Sequence, residues 1–173
     1  MQIISGKFKG KKLAEFVTET TRPTTNRVRE NIFNLVGDRV RGVVVLDLFS
    51  GGGAMSAECE SRGAKRVIAN DINTRAVEFI KKNTNNTTEI YNLDYRDLLI
   101  KLKPQKFDLV FLDPPYDSDY GEIALEMLTE FDMLNDIATI VLECEHEPTI
   151  DLTKFDVKQK KYGRAKIYIL TLK

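Results

Sequence analysis

At 173 residues, 42% hydrophobic and 30% charged, the chain is sized for a single domain able to bury a real core. It has no apolar run of the roughly 18 residues that cross a bilayer and no signal-peptide apolar core at its amino terminus, so a cytoplasmic address with no membrane contact is expected. Net charge is zero but unevenly spread: nine Lys/Arg against four Asp/Glu in residues 1–41, ten against 21 in 42–153, and seven against one in 154–173. Two basic ends around an acidic middle point to nucleic-acid contact.

Taken in chain order, Ile3-Ile4 and Leu13 to Val17 flank Gly6 and Gly10 and predict a small β-hairpin. Thr25 or Asn26 is placed to cap a helix through Val36, whose Val28, Ile32, Phe33, Leu35 and Val36 fall at helical spacing. Gly37 to Gly42 ends this extension, residues 1–41. From Val43 the pattern alternates: strand 43–48, helix 53–62, strand 66–70, helix 74–83, strand 88–92, helix 95–102, strand 107–112, helix 119–129, strand 137–143. Phe155 to Tyr162 and Ala165 to Leu170, turning at Gly163, form a closing antiparallel hairpin. The expected fold is α/β, a mostly parallel seven-stranded sheet with helices on both faces; residues 42–173 carry it, and the extension joins them in one structural unit.

Asp113-Pro114-Pro115-Tyr116 follows the apolar run Phe107 to Leu112 and so falls at a strand's carboxyl end, where open α/β sheets bind ligands. Two prolines stiffen the segment. The Asp113 carboxylate and the Pro114 carbonyl can both accept from one NH2 group, while Tyr116 offers a stacking face; an exocyclic amine on a nucleobase fits. Upstream, Val43 to Leu48 runs into Phe49-Ser50-Gly51-Gly52-Gly53-Ala54, the strand, turn and helix of a nucleotide-type site. Asp71 lies 20 residues past Gly51, where a carboxylate can bind ribose hydroxyls.

A dinucleotide is disfavoured here. The third glycine of a G-x-G-x-x-G turn falls on Ser56, and Asp47 beside the turn would repel a pyrophosphate while suiting an ammonium group. S-adenosylmethionine carries an ammonium and a ribose and no phosphate. Asp47 can alternatively serve as a cap or a hydrogen-bond acceptor within the turn.

Together the two motifs resemble the class I, Rossmann-like methyltransferases that act on amino groups. Within them the chain resembles the RsmD-type bacterial 16S ribosomal RNA guanine-N2 methyltransferases. The likeness extends over Met1 to Leu13, Arg22-Pro23-Thr24-Thr25-Asn26-Arg27-Val28-Arg29-Glu30-Asn31-Ile32-Phe33-Asn34, the glycine turn and Asp113 to Tyr116. It departs at Ser56, where relatives usually have glycine, and at Asp71, where many have glutamate.

The resemblance implies S-adenosylmethionine as cofactor and ribosomal RNA as partner, within a small-subunit assembly intermediate, with the guanine near position 966 flipped into the site of a monomeric enzyme. The cofactor would be held by Asp47 and the backbone of Gly51, Gly52 and Gly53 at its methionine end, Asp71 at the ribose, and Ile72, Asp94 and Tyr95 around the adenine, with Phe49 also in the cofactor site; Asp94 serves equally as a helix cap. Lys7, Lys9, Lys11, Lys12, Arg22, Thr24, Arg27 and Arg29 are assigned to RNA, with Lys158, Lys160, Lys161, Arg164 and Lys166 as a second basic set. Thr24 can instead be a capping residue. Adenine-N6 methylation of DNA or RNA, and a noncatalytic RNA-binding assembly role, remain as alternatives. Cys59 and Cys144 lack ligand spacing and read as reduced core thiols, His146 reads as a surface residue, and no metal is expected.

Overall fold

The computed structural model describes residues 1–18 and 25–173. Seven strands form one sheet: β1 (Val44–Asp47), β2 (Arg66–Asn70), β3 (Thr88–Tyr91), β4 (Phe107–Leu112), β5 (Leu134–Cys144), β6 (Phe155–Tyr162) and β7 (Ala165–Leu172). Their order is β3-β2-β1-β4-β5-β7-β6, with the first five parallel and β7 antiparallel to both of its neighbours. Among the described residues, five α-helices and one 3-10 turn (Gly37–Val40) accompany them: α1 (Asn26–Val36), α2 (Ala54–Ser61), α3 (Thr74–Asn83), α4 (Tyr95–Leu102) and α5 (Tyr120–Glu130).

Strand alternation sorts side chains onto two faces, and both are covered. On one face Leu46, Ile68, Val110 and Ile140 pack under α4 and α5 through Leu98, Leu99, Ala124, Leu125 and Leu128. On the other, Val45, Val67, Leu109 and Val141 meet Ile32, Phe33 and Val36 of α1 and Cys59 of α2. Phe33 and Phe111 lie 5.9 Å apart, and each fully buried side chain of this size contributes roughly 1.5–3 kcal/mol. The helix of the extension is therefore an integral part of the sheet's cover.

The amino-terminal hairpin is short, with one isolated bridge, Gln2 with Lys12. Around it Ile3 N–H donates to the Lys11 carbonyl at 2.9 Å, Gly10 N–H to the Ile3 carbonyl at 2.9 Å and Leu13 N–H to the Met1 carbonyl at 3.0 Å. Ile4 and Ser5 N–H groups donate to the Glu58 carboxylate at 2.8 and 2.9 Å, Lys7 N–H to the Ser61 carbonyl at 2.7 Å, and Phe8 N–H to Ser61 Oγ at 2.9 Å. The segment pairs with itself and also docks on α2. Gly6 sits in that contact with φ +86°, and a Cβ there would lie 1.9 Å from the Ser61 carbonyl oxygen.

The expected elements recur with small shifts at their ends. β5 differs most, beginning at Leu134 rather than 137: Ile137 has φ +58°, and the pairing with β4 shifts register between Phe107 and Leu109. This irregularity hides the strand's first turn from a period-two pattern. Among the described residues, no helix is long and apolar enough to cross a membrane.

Candidate active site

In the strand order, neighbours run leftwards from β1 and rightwards from β4, so the carboxyl ends of these two strands flank the switch point where open α/β sheets form a crevice. A cleft of about 730 Å³ opens there. One end of it is lined by Asp47, Phe49, Gly51, Asp71, Ile72 and Asp94, the other by Asp113 to Tyr116.

Asp47 ends β1 and is 3% exposed. Its Oδ2 accepts from Ser56 Oγ at 2.6 Å. Burial pushes this carboxyl up to about 6, and the hydroxyl of Ser56 limits the rise. Asp71 follows β2, and both of its oxygens receive backbone donors at 2.8 Å, from Gly51 and from Asn73. Its carboxyl is also held above the usual value by burial, against those two bonds.

Gly51 has φ +53°, which favours glycine, and a Cβ there would meet nothing within 4 Å. A ligand thus has room beside its backbone. Ile72, 69% exposed, presents an apolar wall near Asp71. Asp94 caps α4 by accepting from Arg96 N–H at 2.9 Å, and it also lines the cleft. Tyr95 is 4% exposed and stacks between Phe49 and Tyr120, with centroids 5.3 Å from each; its hydroxyl has no hydrogen-bond partner among the described residues.

Asp113 and Tyr116 are exposed at the rim. Ser118 Oγ donates to the Pro115 carbonyl at 2.7 Å and closes the turn. Pro114 packs on Gly121 of α5, where a Cβ would come within 3.2 Å of Pro114 Cγ and 2.7 Å of Leu142 Cδ1. The stiffness expected of two prolines is thus reinforced by packing.

Asp47, Asp71, Asp94, Asp113, Asp117 and Glu143 line the cleft, against one arginine side chain, Arg29, among the described lining residues. Such a lining suits a ligand bearing ammonium and sulfonium charges with ribose hydroxyls and opposes a pyrophosphate. The donor set and the open space at Gly51 fit S-adenosylmethionine.

A family described as Conserved hypothetical protein 95 matches residues 1–171. The chain belongs to this family, the RsmD family. Among its relatives, the Bacillus subtilis protein YlbH, named an rRNA methyltransferase, is 32% identical over 98% of this chain and 97% of its own. The Haemophilus influenzae Ribosomal RNA small subunit methyltransferase D is 33% identical over 85% and 80%. The solved structure of Escherichia coli yhhF, named a methyltransferase, superposes with a TM-score of 0.88 at 27% identity, covering 100% of this chain and 98% of that one.

Against the RNA assignments drawn from the family resemblance, the basic residues divide. Lys7, Lys9, Lys12, Arg27, Lys158, Lys160, Lys161 and Arg164 are exposed. Arg29 is not available as a surface phosphate contact: it is fully buried, with Nη2 donating to the Gln2 carbonyl and, at 3.1 Å, to Asn26 Oδ1. It ties α1 to the amino-terminal segment. Lys11 is half-buried and donates to the Asn83 carbonyl at 3.1 Å, and Lys166 pairs with Glu147 at 2.6 Å. Arg22 and Thr24 lie outside the described residues. His146 is 47% exposed and 3.5 Å from Glu122; Cys59 and Cys144 are free thiols. Among the described residues, no cluster of three or more His, Cys, Asp or Glu could hold a metal ion.

Sequence reasoning missed the residues that brace this cleft. Asn83, ending α3, accepts from Ala14 N–H at 2.8 Å and donates to the carbonyls of Ala14 at 2.9 Å and Gly52 at 2.8 Å. Asn70, 1% exposed, donates to the Leu48 and Leu93 carbonyls at 3.2 and 3.0 Å. Both read as ordinary polar ends of regular elements. Only their tertiary partners reveal the role.

Proposed function

We propose that the protein is an S-adenosylmethionine-dependent ribosomal RNA methyltransferase acting on the exocyclic N2 of a guanine in the small-subunit RNA, the guanine near position 966 in the family resemblance. One observation carries the reading: the Asp71–Gly51 pocket and the Asp113 to Tyr116 rim open into a single cleft. Donor and acceptor can therefore meet there. When bound, the cofactor supplies an electrophilic methyl group on a sulfonium.

The chain's own task is to make an amine nucleophilic. In guanine the N2 lone pair is delocalised into the ring. Asp113 and the Pro114 carbonyl accept both N–H bonds and localise the lone pair toward the methyl, and Asp113 stabilises the positive charge that develops on nitrogen. Holding the two reactants in line can supply about 7–11 kcal/mol in favourable cases. Tyr116 provides a face for a base that has left its stack, and the acidic walls keep the phosphates outside. Exposed Lys7, Lys9 and Lys12 meet those phosphates. An assembly intermediate, with its RNA not yet covered, is the natural substrate.

The test offers labelled cofactor with small subunits, precursor particles, free ribosomal RNA and DNA, followed by digestion and nucleoside identification. N2-methylguanosine from small-subunit RNA is expected. N6-methyladenosine, or labelled DNA alone, overturns the reading.

A further inference from the structure

Glu143 is a buried acid without a partner among the described residues. It lies near the carboxyl end of β5, one residue past the last β4–β5 pair, Leu112 with Leu142; Asp113 is one residue past the same pair on the β4 side. Strand alternation puts Glu143 on the same face as Val141, and Phe111, Asp113, Val141 and Glu143 all line the cleft. Glu143 is 9% exposed, and among the described residues nothing donates a hydrogen bond or a salt bridge to its carboxyl. Burial first, and Glu145 second, push that carboxyl up to about 7. An unpaired acid in such a place weakens the fold, so stability does not account for it.

The geometry points to Glu143 as a specificity-determining residue, its carboxylate accepting from the N1–H of the same guanine whose N2 amine is held by Asp113. This rests on the guanine-N2 reading above. Guanine presents N1–H and N2–H as adjacent donors on one edge, and two neighbouring carboxylates match them one to one. Adenine presents a lone pair at N1, which would face the oxygens of an ionised Glu143. A carboxylate held in a dry wall without donors discriminates strongly, because the wrong base leaves it unpaired. The aromatic and proline rim alone cannot make this distinction, since it grips an amine on either purine.

The test compares small-subunit RNA carrying guanine at the target with RNA carrying 2-aminopurine there, which keeps the 2-amino group and lacks N1–H. Assays at pH 8 keep the carboxyl ionised. The wild-type enzyme is expected to favour guanine in kcat/KM, and Glu143→Ala to shrink that preference by about 10- to 100-fold, the worth of one charge-assisted hydrogen bond. The intrinsic reactivities of the two amines cancel in the comparison of variants. Glu143→Gln, which keeps shape and can donate to a lone pair at N1, should gain activity on 2-aminopurine and keeps the test available if the alanine variant does not fold. A preference unchanged in the variants, with N2-methylguanosine still formed by the wild type, overturns the assignment of Glu143 alone. A wild-type product of N6-methyladenosine overturns the guanine reading and this assignment with it.

Discussion

Ser56 donates its hydroxyl to Asp47 at 2.6 Å, with the two residues 0% and 3% exposed beneath the glycine turn. Burial disfavours the charged carboxylate, and this bond from the first turn of α2 is what offsets part of the cost. The serine that breaks the dinucleotide glycine pattern therefore has a positive role: it keeps an acid at the end of β1 ionisable near neutrality.

If that carboxylate receives the cofactor's ammonium group, affinity must fall as pH drops through about 6, because protonation removes the charge partner. Ser56→Ala should move this inflection upward by about one unit. Titration calorimetry with S-adenosylhomocysteine between pH 5 and pH 8.5 reads it directly. The variant should bind several-fold more weakly near pH 6.5 and nearly as well as wild type at pH 8.5. Superimposable profiles would remove Asp47 from the methionine end of the pocket.

Asp113→Ala should separate chemistry from binding. The side chain is exposed on the segment after β4, while Asp71 and Gly51 follow β2 and β1, so the cofactor's dissociation constant should stay within about threefold while methyl transfer falls at least ~100-fold, as expected for a lost transition-state partner. Single-turnover transfer and calorimetry on the same preparation check both halves. Equal losses in the two would contradict the role given to this acid.

The parts of this fold that were legible in the sequence are those with local causes. Arg66–Asn70, Thr74–Asn83, Tyr95–Leu102 and Phe107–Leu112 have the expected bounds, and Asp94 caps its helix as one reading of it had it. The docking of the amino-terminal hairpin on α2 was not legible, because the residues that take its N–H groups, Glu58 and Ser61, look like solvent-facing positions of that helix. That helix is buried nearly all round, so it carries little amphipathic signature. Glu143 was hidden for a similar reason: within the acidic stretch 143–147 only the β4–β5 register singles it out. Arg29 lay in a basic block, and only its position on α1 shows that it points inward.

Asn83 offers the clearest test of this concealed bracing. Its amide joins α3 to Ala14 and to the Gly52 carbonyl, and Asn83→Ala leaves one N–H and two carbonyls without these partners. At about 1 kcal/mol each, the loss should be about 2–3 kcal/mol in urea unfolding, accompanied by weaker cofactor binding because the glycine turn loses its anchor. A stability loss below about 0.5 kcal/mol would show that water replaces the amide at no cost.

The exposed lysines of the amino-terminal segment should act collectively on RNA. Each phosphate neutralised contributes about 0.7 to 0.9 to the slope of log affinity against log salt. Replacing Lys7, Lys9 and Lys12 together with alanine should flatten the slope by about 2 to 3. Lys11→Ala serves as the internal comparison: its ammonium donates to the Asn83 carbonyl, so its removal should change the slope less than any of the other three. Filter binding of the target RNA at a series of salt concentrations measures all of these. A triple variant with the wild-type slope would take this face out of the interface and leave the basic strand of the closing hairpin, with Lys158, Lys160 and Lys161 exposed, as the surface that meets the phosphates.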